Sequence, residues 1–347
     1  MGLISDFFKN LFGSPVENKG GENEPTQKSA GNDSGPSELT RLEMNRLPLI
    51  AGRAELLQEL QISDKELDWF VKHPEWHYTV VSIPKKSGGA RTIYAPKKRM
   101  KRIQRWILSE ILSKARVEGS AHGFAKGRSI TTNAFPHTGT EIIVNIDLEN
   151  FFDSVKLWRV YCAFRNFGYS GELSSIFARL CCVKGALRQG LPTSPALTNV
   201  VCAMLDRRLN GLAVKFGCTY TRYADDMTFS GDLKFKASLS RFIPILKKII
   251  RGEKFKINRS KMRITRKGSQ QKVTGLVVNE KVNIPREKMR LWRAIIHNCR
   301  IKGLESQNRD KHKHFAAHLK GLVSFAAQVA PAKSERMREE LSQVTKP

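Results

Sequence analysis

No stretch of about 18 consecutive apolar residues occurs in this 347-residue sequence, so a membrane-spanning helix is not expected. Nor does the chain open on the cationic start, apolar core and small-residue cleavage site of a secretory signal, and a cytoplasmic protein is the expectation. Cysteine is sparse. The six (Cys162, Cys181, Cys182, Cys202, Cys218 and Cys299) show no C-x-x-C spacing and sit mostly in apolar segments, which argues against a zinc ribbon or a disulfide framework and for reduced core residues. Acidic residues are also few, 32 against 60 basic, and the net charge of +28 makes a polyanion the natural partner. An anionic membrane surface is the second reading of that charge, and no membrane partner is expected. His314 and His318, four apart on a predicted helix, lack a neighbouring Glu or Cys, so a zinc pair gives way to a basic, RNA-facing surface.

What the chain does contain is ordinary for a folded protein, with 40% apolar residues and length for two or three substructures. Residues 1–40 read as a flexible segment, because positions 19–37 hold almost no apolar side chains. Three Lys against six acidic residues give that segment a charge of −3, which leaves +31 on residues 41–347. Its first dozen residues are an exception. Leu3, Ile4, Phe7, Phe8, Leu11 and Phe12 have the spacing of an amphipathic helix, for which docking on the chain's own core is preferred over a partner or a membrane surface. Three further parts are expected: N-terminal helices and a first basic region over 41–140, a central part over 141–280, and a basic helical part over 281–347.

Along the folded part the period changes several times. Arg53 to Val71 is helical, with Ser63-Asp64-Lys65-Glu66 as a capping box and Pro74 as a stop. Two strands, 78–84 and 90–94, flank Lys85-Lys86-Ser87-Gly88-Gly89, which predicts a hairpin presenting Lys85, Lys86 and Arg91 either to phosphates or simply to solvent. Residues 141–148 are β-branched and apolar, as a buried strand should be, yet the strand ends on Asp147. Packing explains such a carboxylate poorly; it either caps the next helix or binds a cation. Helices follow over 156–167 and 172–183. Then Leu187-Arg188-Gln189-Gly190-Leu191-Pro192-Thr193-Ser194-Pro195 forms a loop, with Ser194 as N-cap and Pro195 first in a helix running to about Ala213. From Arg286 the chain is helical and basic, with Met289, Trp292, Ile296 and Cys299 as a core stripe among Arg290, Arg293, Arg300 and Lys302.

The stretch Tyr220-Thr221-Arg222-Tyr223-Ala224-Asp225-Asp226-Met227-Thr228-Phe229-Ser230 reads as two strands joined through adjacent aspartates. A turn alone explains an Asp pair. Against that stands repulsion, since neighbouring carboxylates raise each other's pKa unless a cation lies between them. Hard oxygen ligands suit Mg²⁺, with substrate phosphates completing its shell.

Taken together, the strand ending on Asp147, the Gln-Gly loop, the Tyr-x-Asp-Asp hairpin, a downstream Lys and a glycine-containing strand resemble the palm of a reverse transcriptase. Asn133-Ala134-Phe135-Pro136-His137 and Val273-Thr274-Gly275 are similar to the N-A-x-x-H and V-T-G elements of the retron group, and the resemblance spans roughly 75–300. It implies an α+β, right-hand polymerase architecture with fingers, an antiparallel-sheet palm flanked by helices, and a helical thumb. It further implies Asp147, the Leu148 carbonyl, Asp225 and Asp226 as ligands of two Mg²⁺ ions, with Mn²⁺ as a substitute. Gln189 and Gly190 would lie over an incoming dNTP, Arg91 on its triphosphate, Phe152 as a steric gate against a ribose 2′-hydroxyl, and Lys261 as proton donor to the leaving group. Asn133, His137, Val273, Thr274, Gly275, Arg290 and Arg293 are expected to contact RNA. The implied partners are a cognate structured RNA, its RNA–DNA product, and an accessory effector protein in antiphage defence. Other bacterial reverse transcriptases of the group II intron, diversity-generating or abortive-infection type, and an RNA-binding scaffold or toxin-neutralising subunit, are the alternatives.

Overall fold

The computed structural model describes residues 38–84 and 88–344. The amphipathic start, with the rest of residues 1–37, and Lys85 and Lys86 of the basic hairpin lie outside the described residues. Three helices open the described chain: α1 (Glu38–Met44), α2 (Arg53–Leu60) and α3 (Asp64–Lys72). Ser63 caps α3 by accepting from the Glu66 amide at 3.3 Å, but the expected reciprocal box is not formed. Glu66 instead pairs with Arg99 of α4 (Lys98–Trp106), a stronger acceptor role than a backbone amide offers it. Between them β1 (Tyr78–Pro84) and β2 (Ala90–Pro96) form the antiparallel ribbon that the strand–Gly–strand pattern predicts.

The short α5 (Ile130–Ala134) leads to β3 (Ile142–Asp147), the one strand of the central sheet with a neighbour on each side that are both distant in sequence. Its apolar run explains that place: Ile142, Ile143, Val144 and Ile146 are all buried. After it come α6 (Phe151–Ser154), α7 (Leu157–Phe167), α8 (Gly171–Cys181) and the long α9 (Ser194–Phe216). The N-cap of α9 is Thr193 rather than Ser194, and Pro195 therefore stands second in the helix, where it still has no intrahelical donor to lose. The hairpin of β4 (Thr219–Tyr223) and β5 (Asp226–Gly231) precedes α10 (Leu233–Gly252) and β6 (Arg263–Arg266). All pairings are antiparallel and the sheet order is β4-β5-β3-β6. Helices cover this sheet, which gives the expected α+β class. None of the described helices is long and apolar enough to cross a membrane.

A second, smaller apolar cluster begins where the chain leaves the sheet. The hairpin β7 (Lys272–Val273) and β8 (Leu276–Val277) turns through Thr274 and Gly275, at φ +46° and +83°. Positive φ at both central residues is what a type I′ two-residue turn demands, and it gives the glycine its place. Val273 and Leu276 then pack with Ala134 of α5 and with Met289, Ile296 and Cys299 of α11 (Arg286–Lys302), beside α12 (Phe315–Val329) and α13 (Pro331–Val344). The Met289-Ile296-Cys299 stripe is core, as its spacing predicts, with Trp292 partly buried against Phe325.

Asn133, His137 and Val273, which the sequence reading expects to contact RNA, are buried in this structure. The His137 ring bridges Ser230 Oγ at 2.6 Å and Thr221 Oγ1 at 2.8 Å, tying α5 and its following turn to β5 and β4. Thr274 Oγ1 donates to the Ile130 carbonyl of α5 at 3.2 Å. The two short elements therefore meet each other and brace the sheet against the C-terminal helices. Thr274 and Gly275, at the hairpin tip, remain accessible.

Burial, and secondarily the charge of His122, pushes His137 down to about 4; burial and nearby Arg128 do the same to His122. A histidine depressed in the fold contributes stability that is complete above its unfolded value near 6.5 and lost as pH falls towards 4. Unfolding free energy should therefore decline below pH 6.5 by up to about 1.4 kcal/mol per pH unit for each such ring. In urea titrations, His137→Gln, which keeps hydrogen-bonding atoms but cannot titrate, should remove one proton's worth of that slope.

Candidate active site

Three carboxylates meet where β3 and β5 end together. The register places Asp147 opposite Asp226, and the Leu148 amide donates to the Asp225 carbonyl at 3.1 Å. The strands are not joined through both aspartates as the sequence suggests. The central turn residues are Ala224 and Asp225, while Asp226 is already the first residue of β5, paired with Tyr223. That one-residue shift matters, because it lets Asp226 face Asp147 across the ladder while Asp225 stands at the tip.

The electrostatics are those of a site short of positive charge. Burial first, then the charge of Asp147, raises Asp225. Asp226, although open to solvent, is pushed up to about 6 by desolvation and by the carboxylates of Asp225 and Asp147. Among the described residues the ammonium that reaches these carboxylates is that of Lys261, whose Nζ donates to Asp147 Oδ2 at 2.9 Å and is itself raised chiefly by that bond. It arrives on the segment after α10, which runs alongside Asp147–Glu149: the Asn258 amide donates to the Asp147 carbonyl at 2.8 Å and the Glu149 amide to the Lys256 carbonyl at 2.8 Å.

Among the described residues no three His, Cys, Asp or Glu side chains stand close enough to cage an ion by themselves. The donor set nonetheless fits a hard cation that brings phosphate and water ligands of its own, since carboxylates crowded enough to raise each other's pKa are relieved by such a charge.

The other predicted residues are spread over several elements. Phe152 on α6 packs partly buried against Phe151 and Phe124, with ring centroids 5.6 and 6.3 Å away. Gln189 and Gly190 lie against β2: the Tyr94 amide donates to the Gln189 carbonyl at 2.8 Å. Gly190 has φ +103°, and a Cβ there would stand 2.6 Å from the Tyr94 carbonyl oxygen, so only glycine fits this approach. Arg91 is exposed on β2, and its charge is felt at Asp225. Arg290 is exposed on α11; Arg293 donates to the Lys333 carbonyl at 2.9 Å. His318 stacks on His312 at 4.7 Å.

Sequence reasoning missed Arg188 and the pair Arg222–Asp206. Arg188 reaches Asp153 of α6 at 3.1 Å and lies 5.6 Å over the Tyr94 ring, so it joins the Gln189 loop to both. Arg222 and Asp206 are wholly buried, 2.6 Å apart, behind the aspartate turn. A signal was available. Period-2 alternation puts Arg222 on the same face of β4 as Tyr220, and Asp206 interrupts the apolar face of α9 between Cys202 and Leu209.

Residues 83–279 match the reverse transcriptase (RNA-dependent DNA polymerase) family. The sequence is 36% identical over 345 residues to the retron Mx162 reverse transcriptase of Myxococcus xanthus, across 89% of this chain and 70% of that protein. It is 37% identical over 309 residues to the retron Ec86 reverse transcriptase of Escherichia coli, across 88% of this chain and 93% of that one. A solved telomerase from Candida albicans is similar at a TM-score of 0.42 and 10% identity, over 77% of this chain and 59% of its own.

Gly190→Ala should cost about 1–3 kcal/mol of stability in chemical denaturation, through the strained φ and the clash with Tyr94. Gly185→Ala, also at positive φ but with open space around its Cβ, should cost less.

Proposed function

Because the chain belongs to the retron reverse transcriptases, RNA-directed DNA polymerases, we propose that it binds one structured non-coding RNA and makes DNA joined to that RNA through an internal guanosine 2′-hydroxyl. The observation that carries the reading is the convergence of Asp147, Asp225 and Asp226 at one end of the sheet.

Asp147, Asp225, Asp226 and the Leu148 carbonyl would hold two Mg²⁺ ions, or Mn²⁺ in their place. When bound, these ions supply charge for the attacking hydroxyl and the leaving pyrophosphate. The chain's own groups do the rest. Arg91, exposed on β2, neutralises phosphate oxygens of the dNTP as a bidentate guanidinium can. Gln189, held on β2 through its own carbonyl, lies over the nucleotide, and Gly190 lets the loop approach that closely. Phe152 fills the space a 2′-hydroxyl would need. Lys261, already 2.9 Å from Asp147, donates a proton to the leaving group, for which a lysine ammonium is suited.

Positive charge over 41–347 supports binding of the RNA template and hybrid, through phosphates and 2′-hydroxyls and with affinity falling as salt rises. Arg290, Arg293, Thr274 and Gly275 belong to that surface in this reading. Fingers over 41–140, a palm over 141–280 and a thumb over 281–347 are the corresponding parts. An accessory effector protein and a role in antiphage defence complete the proposal, and both rest on family analogy.

Asp225→Asn combined with Asp226→Asn should lower DNA synthesis by about a thousandfold or more while RNA affinity stays within about threefold, since the substitutions remove metal ligands but no RNA-facing cation. Primer extension and filter binding on the same preparation check both halves. Wild-type synthesis in the double variant would remove these aspartates from the site.

A further inference from the structure

Behind the Asp225 turn lies a charged pair that solvent does not reach. Arg222 and Asp206 are both fully buried, and burying such a pair is often no better for stability than packing apolar residues of similar volume. The geometry of the fork shows what else it does. Arg222 Nε donates to Asp206 Oδ1 at 2.8 Å and Nη2 to Asp206 Oδ2 at 2.6 Å. Nη2 also donates to Asn199 Oδ1 at 3.1 Å, and Nη1 to the Ala224 carbonyl at 3.1 Å. Four of the five N–H donors of the guanidinium are thus used, and one of the four bonds ends on the residue directly before Asp225.

Ala224 needs holding. Its φ of +57° lies in the left-handed region that a residue with a Cβ seldom adopts, a conformation that costs about 1–3 kcal/mol and persists only where surroundings enforce it. Those surroundings converge on Arg222. Its backbone amide donates to the Ser120 carbonyl at 2.8 Å, and its carbonyl accepts from the His122 amide at 2.7 Å. The chain then runs over the turn at Gly123, where a Cβ would stand only 2.4 Å from the Ala224 nitrogen. The Gly123 carbonyl is in turn fixed by the Asn199 amide at 2.9 Å. Asn199 and Asp206 both belong to α9, which starts directly after the Gln189–Thr193 loop.

The geometry points to Arg222 as a positioning residue that holds the Ala224 carbonyl, and so aims the Asp225 and Asp226 carboxylates at Asp147, from a buried anchor on α9. The inference rests on the reading of the three aspartates as a metal centre. Arg222 itself touches neither substrate nor metal. Its loss would let the strained turn relax and spread the carboxylates, and a displacement of about 1 Å at such a site costs on the order of a hundredfold in rate.

The test uses the whole protein. Arg222→Lys keeps a positive charge against Asp206 but cannot reproduce the fork. We expect it to fold, to bind Mn²⁺ roughly tenfold more weakly in titrations of the protein alone followed by electron paramagnetic resonance, and to lose about a hundredfold in turnover, with the KM for dNTP within about threefold. Tyr220→Phe is the control: it removes the 2.8 Å bond from the tyrosine hydroxyl to Asp206 Oδ1 and leaves the bonds of Arg222 in place. It should stay within about threefold of wild type on all three readouts. A folded Arg222→Lys with wild-type Mn²⁺ binding and turnover overturns the proposal. So does equal damage from Tyr220→Phe, because that would mark the cluster as general core. Should Arg222→Lys not fold, Asn199→Ala removes one of the four bonds without a charge change, and unaltered Mn²⁺ affinity there overturns it equally. Asp225→Asn in the same titration separates the two ideas: unchanged Mn²⁺ binding in that variant sinks the metal-centre reading itself.

Discussion

Three carboxylates are held at one end of an antiparallel sheet against their mutual repulsion, and much of the structure is arranged around that fact. Asp147 and Asp226 face each other across the β3–β5 ladder, and Asp225 stands on the turn beside them. The energy to keep them there comes from elsewhere: from the apolar flanks of β3, from helices packed on the sheet, and from buried polar ties at its edge. Lys261 relieves part of the repulsion, but one ammonium bound to Asp147 leaves Asp226 with a carboxyl pushed up to about 6. A site in that condition favours a cationic ligand.

The same economy explains why two short elements of the sequence turn inward. N-A-x-x-H and V-T-G look polar and loop-like when read in a line, and contact with RNA is the natural expectation for them in a chain of net charge +28. Folded, they are neighbours. His137 takes two hydroxyls from the sheet, Thr274 takes a carbonyl from α5, and Ala134 and Val273 join the apolar cluster of the C-terminal helices. They link the sheet that carries the aspartates to the basic helices beyond it.

How much of this was legible in the sequence depends on the physics of each feature. β3 was plain, because a β-branched apolar run ending on a carboxylate has few structural explanations. The antiparallel hairpin, the basic ribbon and the core stripe of α11 followed from periods of 2 and 3.6, which backbone geometry enforces locally. The exact turn was not legible, since Ala224 with positive φ contradicts its own propensity and is dictated by contacts from Gly123 and Arg222, remote in sequence or hidden within a strand. The inward face of His137 was not legible either: a histidine has no signature that distinguishes two buried hydroxyl partners from a phosphate. Asp206 lies 16 residues from Arg222, so the pair exists only once α9 has packed on β4.

The proposal as a whole is that these carboxylates make DNA on an RNA to which the product stays joined, and the nucleic acid carried by the protein reports on it most directly. The protein should be purified from cells, and its bound nucleic acid should be resolved before and after RNase and debranching treatment. The account predicts a short, discrete DNA that is released from RNA only by that treatment. RNA recovered without any linked DNA would contradict it.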